Sequence, residues 1–236
     1  MLNRDNDKLF AHTIVDYRKF LFQPPSECRD PDLFRLLNEF HFVRWHPDYE
    51  ERRSEIRDQI TTESILSRAE RSVEDPYERL RQYAGELLVW VRRENAATFI
   101  LTLLNDQTEF VRGETARMLS QLRCDSCVAR LIELATIDCS PFVRGCAASG
   151  LGGQNPIKSI PVLIDVLDND HEACETGHTP SSCAATALDE MMETEWTQKR
   201  FDGGLRSLNP DGIDLTALRE QSMLFLKQCQ QRDDGK

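Results

Sequence analysis

The chain lacks long apolar runs. The longest, Leu87-Leu88-Val89-Trp90-Val91, is far short of the roughly 20 residues that a helix needs to cross a bilayer. Met1 to Phe10 carry Arg4, Asp5, Asp7 and Lys8 with no apolar centre, so no secretory signal is expected. Basic charge is also short: 29 Lys and Arg stand against 40 Asp and Glu, for a net charge of −11. A surface of that sign repels phosphate backbones and argues against a general nucleic-acid binder. No segment alternates polar and apolar residues over the length of a strand, so no sheet is expected. The eight cysteines are Cys28, Cys124, Cys127, Cys139, Cys146, Cys174, Cys183 and Cys229. A chain of 236 residues can bury a core without cross-links. They are therefore read as reduced thiols of a cytoplasmic protein.

What is present is a repeat. The segment DQTEFVRGETARMLSQL from Asp106 and the segment DCSPFVRGCAASGLGGQ from Asp138 align without a gap at a spacing of 32 residues. Val111 matches Val143, Arg112 matches Arg144, Ala116 matches Ala148 and Leu119 matches Leu151. The register runs back to Ala84, Leu87, Phe99, Ile100 and Leu103. It runs forward to Cys183-Ala184-Ala185 and Leu188 after a five-residue insertion in the loop following Asp170. Within a unit, Val128, Leu131, Ile132 and Ala135 follow the i, i+3, i+4, i+7 spacing of a helix, as do Val111, Thr115, Met118, Leu119 and Leu122. Each unit is thus two helices. A single pair has too little apolar surface to stand alone, so neighbouring pairs must stack.

The pattern D-x5-R within D-x4-V-R-x3-A-x2-L resembles the HEAT repeat, in the short bacterial form also found in phycobilin lyases. The resemblance implies an Asp in the turn between the two helices and an Arg on the second, forming a hydrogen-bonded ladder between repeats. It carries over to Asp106 with Arg112 and to Asp138 with Arg144. The first unit has Asp75, with Leu80 at the Arg position, and the fourth has Asp170 with Ser181. The ladder is therefore expected in the two middle units only. The expected fold is all-α, an armadillo-like solenoid of stacked antiparallel helix pairs over residues 74–195. Residues 1–73 would form an N-terminal helical cap, or less simply a small separate domain. Residues 196–236 would form a loop and a C-terminal capping helix from Leu215 to about Gln230. A first helix is expected through Leu9, Phe10, Ile14, Tyr17 and Leu21, stopped by Pro24-Pro25.

Candidate chemistry is sparse. The inserted loop holds His171, Cys174, His178 and Cys183, all residue types that zinc favours, but H-x2-C-x3-H-x4-C is not a usual zinc spacing. Cys183 is also accounted for by its match to Cys146. We expect no tight zinc site and no cofactor. Cys124-Asp125-Ser126-Cys127 falls in a turn between helices with no strand before it, so a structural role is expected. His171-Glu172 is the one His-Glu pair, which cannot supply the di-iron centre of the HEAT-type deoxyhypusine hydroxylases. No nucleophile motif, phosphate loop or catalytic carboxylate pair is visible.

The expected function is a non-enzymatic scaffold or adaptor that binds another protein. The second reading, implied by the resemblance, is a phycobilin-lyase-like or tetrapyrrole-binding protein. Residues 138–195 carry 10 acidic side chains against 2 basic ones, which favours a partner segment of basic or mixed charge. The second helices would line the groove with Arg81, Gln82, Gly113, Glu114, Arg117, Gln121, Gly145 and Ser149. Glu190, Glu193 and Glu195 would stand at its acidic end. A competing site is the N-terminal aromatic set Phe10, Tyr17, Phe20 and Phe22. No membrane association is expected.

Overall fold

The computed structural model describes residues 21–43, 50–121, 123, 125–194 and 215–234. Among these the regular structure is helical, with no strand. The order is α1 (Pro31–Val43), α2 (Glu50–Ile60), α3 (Glu63–Ser72), α4 (Glu78–Arg92), α5 (Ala97–Leu104), α6 (Glu109–Met118), α7 (Asp125–Ile137), α8 (Pro141–Gly152), α9 (Pro156–Asn169), α10 (Pro180–Met191) and α11 (Leu215–Asp234). The expected helix around Leu9 to Phe20 lies outside the described residues, as do the 196–214 loop and Cys124.

The helices start where local chemistry says they should. Pro141, Pro156 and Pro180 occupy first turns, where their missing N–H costs nothing. The Asn155 side chain caps Ile157 N, and Thr179 and Ser182 form a reciprocal capping box. Consecutive helices pair as α3 with α4, α5 with α6, α7 with α8 and α9 with α10. The second helices then lie side by side in one layer, α4 to α6 to α8 to α10, and the first helices form the other, α5 to α7 to α9. The core runs between the layers. Leu80, Leu88, Leu103, Leu119, Leu131, Leu151, Leu163 and Leu188 are completely buried. α11 closes one end against α9 and α10, burying Leu218 and Leu226. Its helix continues through Asp234, past the end expected near Gln230.

At the other end α1 packs on α4 and α3. Asp30 caps α1 at Leu33 N, 3.0 Å, and takes a forked pair of hydrogen bonds from Arg68 of α3 at 2.6 and 2.8 Å. The first pair begins at Glu63, so an N-terminal cap ending at Val73 would divide it.

The turns carry the ladder, and here the expectation needs correcting. Each Arg does not pair with the Asp side chain of its own unit. It reaches forward, with Nε and one terminal nitrogen on both carboxylate oxygens of the next unit's Asp. Arg112 holds Asp138 at 2.9 and 3.0 Å, and Arg144 holds Asp170 at 2.6 and 3.1 Å. The remaining nitrogen reaches back to the backbone carbonyl of the unit's own Asp, from Arg112 to Asp106 O at 2.8 Å and from Arg144 to Asp138 O at 2.9 Å. The first unit is complete as well. Its Arg is Arg81, which holds Asp106 at 2.6 and 2.8 Å and donates to Asp75 O at 2.7 Å. Asp75 precedes Asp106 by 31 residues and not by 32, so a rigid 32-residue register lands on Leu80, one position short.

The carboxylates also accept the backbone N–H two residues on, in the turn that leads into the next helix. Tyr77 N donates to Asp75, Thr108 N to Asp106 and Ser140 N to Asp138, at 2.8–3.0 Å. With no preceding Arg, Asp75 takes the Arg29 backbone N–H at 3.0 Å. At the far end Ser181 replaces the Arg and donates its hydroxyl to Leu167 O, 2.7 Å.

Close approach of α8 to α6 depends on glycine. A Cβ at Gly150 would stand 2.3 Å from the Ala116 carbonyl oxygen, and one at Gly153 would stand 2.1 Å from that of Ser120. The run Gly150 to Gly153 is therefore a contact surface as well as a helix end.

Removing the Arg112 side chain would leave the nearly buried Asp138 carboxylate without its cation. Breaking one partner of such a pair costs about 3 kcal/mol or more, a fall in Tm of roughly 6–12 °C for a domain of this size. Thermal unfolding of Arg112→Ala followed by circular dichroism should show it, and an unchanged Tm would contradict the role given to the ladder. Arg81→Ala should cost as much.

Acid should unfold the protein through the same groups. Burial opposes ionisation of Asp138, but the Arg112 guanidinium and the Ser140 N–H outweigh it and hold its pKa below the ordinary carboxylate value. For Asp30 the Arg68 hydrogen bonds do the same. A carboxylate whose pKa is depressed by folding stabilises fully above its unfolded value of about 3.9 and loses that contribution as the pH falls further. Denaturant midpoints measured from pH 6 to pH 3 should drop steeply below pH 4 in the wild type and less steeply in Arg112→Leu.

Candidate partner groove

The layer of second helices has an outer face turned away from the first helices. On α4 this face is the stripe Arg79, Tyr83, Glu86, Trp90; α1 packs on it and leaves Trp90 about half exposed. His41 Nδ1 lies 2.9 Å from Glu86, Phe40 packs on Trp90 and Phe34 stacks on Tyr83. The open part of the layer is therefore α6, α8 and α10, with the inserted loop beside them.

A half-open cavity of about 260 Å³ lies there. α6 contributes Glu114 and Arg117, and α8 contributes Pro141, Phe142, Gly145, Cys146 and Ser149. The loop contributes Cys174, Thr176, His178 and Thr179, and α10 contributes Cys183 and Thr186. Phe142 lies over Gly113, where a Cβ would come within 2.4 Å of the ring. Glu114 and Arg117 form an ion pair at 2.6 Å at the rim.

The groove residues expected from the sequence divide into three sets. Glu114, Arg117, Gly145 and Ser149 are brought together around the cavity. Arg81 and Gln82 are not on the surface at all, being 5% and 3% exposed; Arg81 is turned into the ladder. Glu190 is exposed one helical turn beyond Thr186 on the same stripe of α10, and Glu193 is exposed just past its end, with φ at 53°. Gln121 lies in the short turn of helix after α6, and Glu195 is outside the described residues. Of the competing aromatic set, Phe22 is exposed with Arg79 stacked 4.1 Å from its ring centroid, and the other three lie outside the described residues.

The four zinc-type residues of the loop do not converge. His171 turns to the Asp168 carbonyl, 3.2 Å away, and only Cys174, His178 and Cys183 face the cavity. Sequence reasoning missed Phe142 and Cys146 as lining residues. The available signal was the repeat itself, since Cys146 corresponds to Glu114, a residue already placed in the groove. The cysteines are free at positions 28, 139, 146, 174, 183 and 229. Cys127 is in a disulfide, which corrects the reading of every cysteine as a reduced thiol.

The three cavity thiols differ in acidity. Burial pushes the Cys146 and Cys183 thiols up. Burial acts the same way on Cys174, but the Thr176 hydroxyl, 3.1 Å from its sulfur, and nearby backbone N–H groups outweigh it, and its pKa falls.

Residues 97–175 match the family described as HEAT repeats. These residues are HEAT repeats. The match covers α5 to α9 and ends in the inserted loop. No curated protein matches the chain. HEAT repeats in general mediate protein interactions, because a stack of helix pairs presents a long curved surface with neighbours as its only internal contacts. Among the described residues no helix of this HEAT stack is long and apolar enough to cross a membrane.

Thiol reactivity checks the geometry of the cavity. A brief treatment with iodoacetamide near pH 7 should label Cys174 at least about tenfold faster than Cys146 or Cys183, because the thiolate is the reacting species. Peptide mapping by mass spectrometry reads the ratio, and equal labelling of the three would count against the arrangement.

Proposed function

We propose that the protein is a non-enzymatic scaffold or adaptor that holds another protein along the outer face of α6, α8 and α10. The observation that supports it best is the cavity between α8, α10 and the inserted loop, on second-helix surface beyond α4, where α1 packs. Its volume is below the roughly 300–1,000 Å³ of pockets that enclose drug-sized ligands. That favours a single side chain of a partner over a whole tetrapyrrole. The partner segment carries basic or mixed charge, to complement Glu190, Glu193 and the exposed loop residues Glu172 and Glu175. Binding should weaken as salt rises, since exposed charges are screened beyond roughly 10 Å at 0.1 M.

The test is affinity capture from the native cell, followed by quantitative mass spectrometry, with three baits. One is wild type, one is Glu190→Lys with Glu193→Lys, and one is Glu133→Lys on the exposed side of α7. A partner of this groove is retained by the wild type and by Glu133→Lys and falls at least about tenfold with the double charge reversal. Retention by all three baits would place the interaction elsewhere.

A further inference from the structure

None of the described residues that line the cavity is Leu, Ile, Val or Met. Its apolar surface comes from the Phe142 ring, Pro141 and the sulfurs of Cys146, Cys174 and Cys183. These walls are built in. Phe142 is seated over Gly113, where a Cβ would come within 2.4 Å of its ring. The inserted loop is closed on itself: Cys174 N donates to His178 O at 2.9 Å, and Gly177 N donates to Cys174 O at 2.8 Å. A site already shaped costs its ligand less to occupy. The mouth is acidic. Glu175 lies between the lining residues Cys174 and Thr176, and Glu190 lies one helical turn beyond Thr186; both are exposed. Arg117, the one Lys or Arg among the described lining residues, is held by Glu114 at 2.6 Å.

We propose that the cavity is an aromatic-anchor site, taking one Phe, Tyr or Trp ring from a partner segment whose neighbouring residues are Lys or Arg. The inference rests on the adaptor reading and names the partner's chemistry. A ring gains an edge-to-face contact with Phe142 and contacts from sulfur to its edge, both beyond the area it buries. An aliphatic side chain of similar size gains the area alone. The size fits. An apolar cavity of about 150 Å³ holds benzene, and this one is about 260 Å³. The charge of the neighbours follows from the mouth. In an extended segment, a residue two positions from the anchor lies about 7 Å from it. That is close to the roughly 5.4 Å of one helical turn that separates Glu190 from Thr186. Lys or Arg at such positions meets Glu175 and Glu190, and an acidic residue is repelled.

The probes are synthetic peptides Lys-Lys-Ala-X-Ala-Lys-Lys, with X as Phe, Leu or Ala, and the acidic analogue Glu-Glu-Ala-Phe-Ala-Glu-Glu. Each carries an N-terminal fluorophore, and anisotropy follows its binding to the full chain. The basic Phe peptide should bind at least about tenfold more tightly than the Leu peptide. It should exceed the acidic peptide by at least about tenfold as well. At saturation it should slow iodoacetamide labelling of Cys174 in the wild type, and the Ala peptide at the same concentration should not. Ser149→Phe and Thr186→Trp, two separate ways to fill the cavity, should each weaken the Phe peptide at least about tenfold with the circular dichroism spectrum unchanged. Glu133→Lys should bind as wild type. Equal binding of the Phe and Leu peptides, equal binding of the basic and acidic peptides, or Phe binding without protection of Cys174 would each overturn the inference. So would Phe binding that survives a folded cavity-filling variant, or self-association of the chain that such a variant abolishes, which would make a second copy the occupant. Those results leave the adaptor reading standing as long as capture of a cellular partner still responds to Glu190→Lys with Glu193→Lys.

Discussion

The forked hydrogen bonds from each repeat arginine to the aspartate of the next unit are the interaction on which the stack depends. A helix-pair repeat buries its apolar faces without directional preference, so hydrophobic contact alone does not fix how far one pair slides on the next. The guanidinium does. It is planar and offers its donors in a fixed geometry. With two nitrogens it takes both oxygens of the following aspartate, and with the third it takes the carbonyl of its own turn. Arg81, Arg112 and Arg144 repeat this three times. Asp75, Asp106 and Asp138 also accept the backbone N–H two residues on, so one side chain shapes both the turn into a helix and the position of one unit against the next. The desolvation cost of a buried charge is tolerable here because nearly every donor and acceptor of the pair is used.

The same geometry explains how the stack ends. A ladder of forward-reaching arginines leaves an aspartate without a donor at the start and needs no arginine at the finish. The first gap is filled by the Arg29 backbone N–H, presented just before α1. At the finish Ser181 makes a short local bond to Leu167 O, and α11 covers the exposed side of α9 and α10. The terminal elements therefore do two jobs. They satisfy the polar groups that repetition strands, and α1 also packs on the outer face of α4. The surface of α6, α8 and α10 lies beyond it.

On that surface the insertion after Asp170 changes the chemistry of a regular array. Small residues run along the later second helices, with Gly145, Ala147, Ala148, Gly150, Ala184, Ala185 and Ala187, and they let α8 approach both α6 and α10 closely. Side chains that would fill a groove between helices are missing there. The inserted loop stands over the gap and turns it into a cavity with Cys174 and His178 on one wall. A buried thiol, a half-buried one and a third, more acidic thiol share that cavity, one hydrogen-bonded on an open loop and two partly or wholly desolvated between helices.

The sequence alone was enough to establish an all-helical stack of pairs, its period and its polar signature, because apolar spacing and a gapless self-match are properties of the chain itself. Leu119, Leu131, Leu151 and Leu188 could be assigned to the core on spacing, and they are buried. Tertiary structure decided which partner each charged group has. Arg81 reads as a surface residue on helical spacing and is buried, because its partner Asp106 is 25 positions away and belongs to the next turn. Asp138 reads as the partner of Arg144 and is held by Arg112, since the ladder runs between units and local spacing shows only the members of one unit. The cavity was legible only in part. Glu114, Arg117, Gly145 and Ser149 follow from helix faces. The meeting of Cys146, Cys174 and Cys183 requires an inserted loop to fold back over two stacked helices, and no periodicity along the chain encodes where such a loop comes to rest.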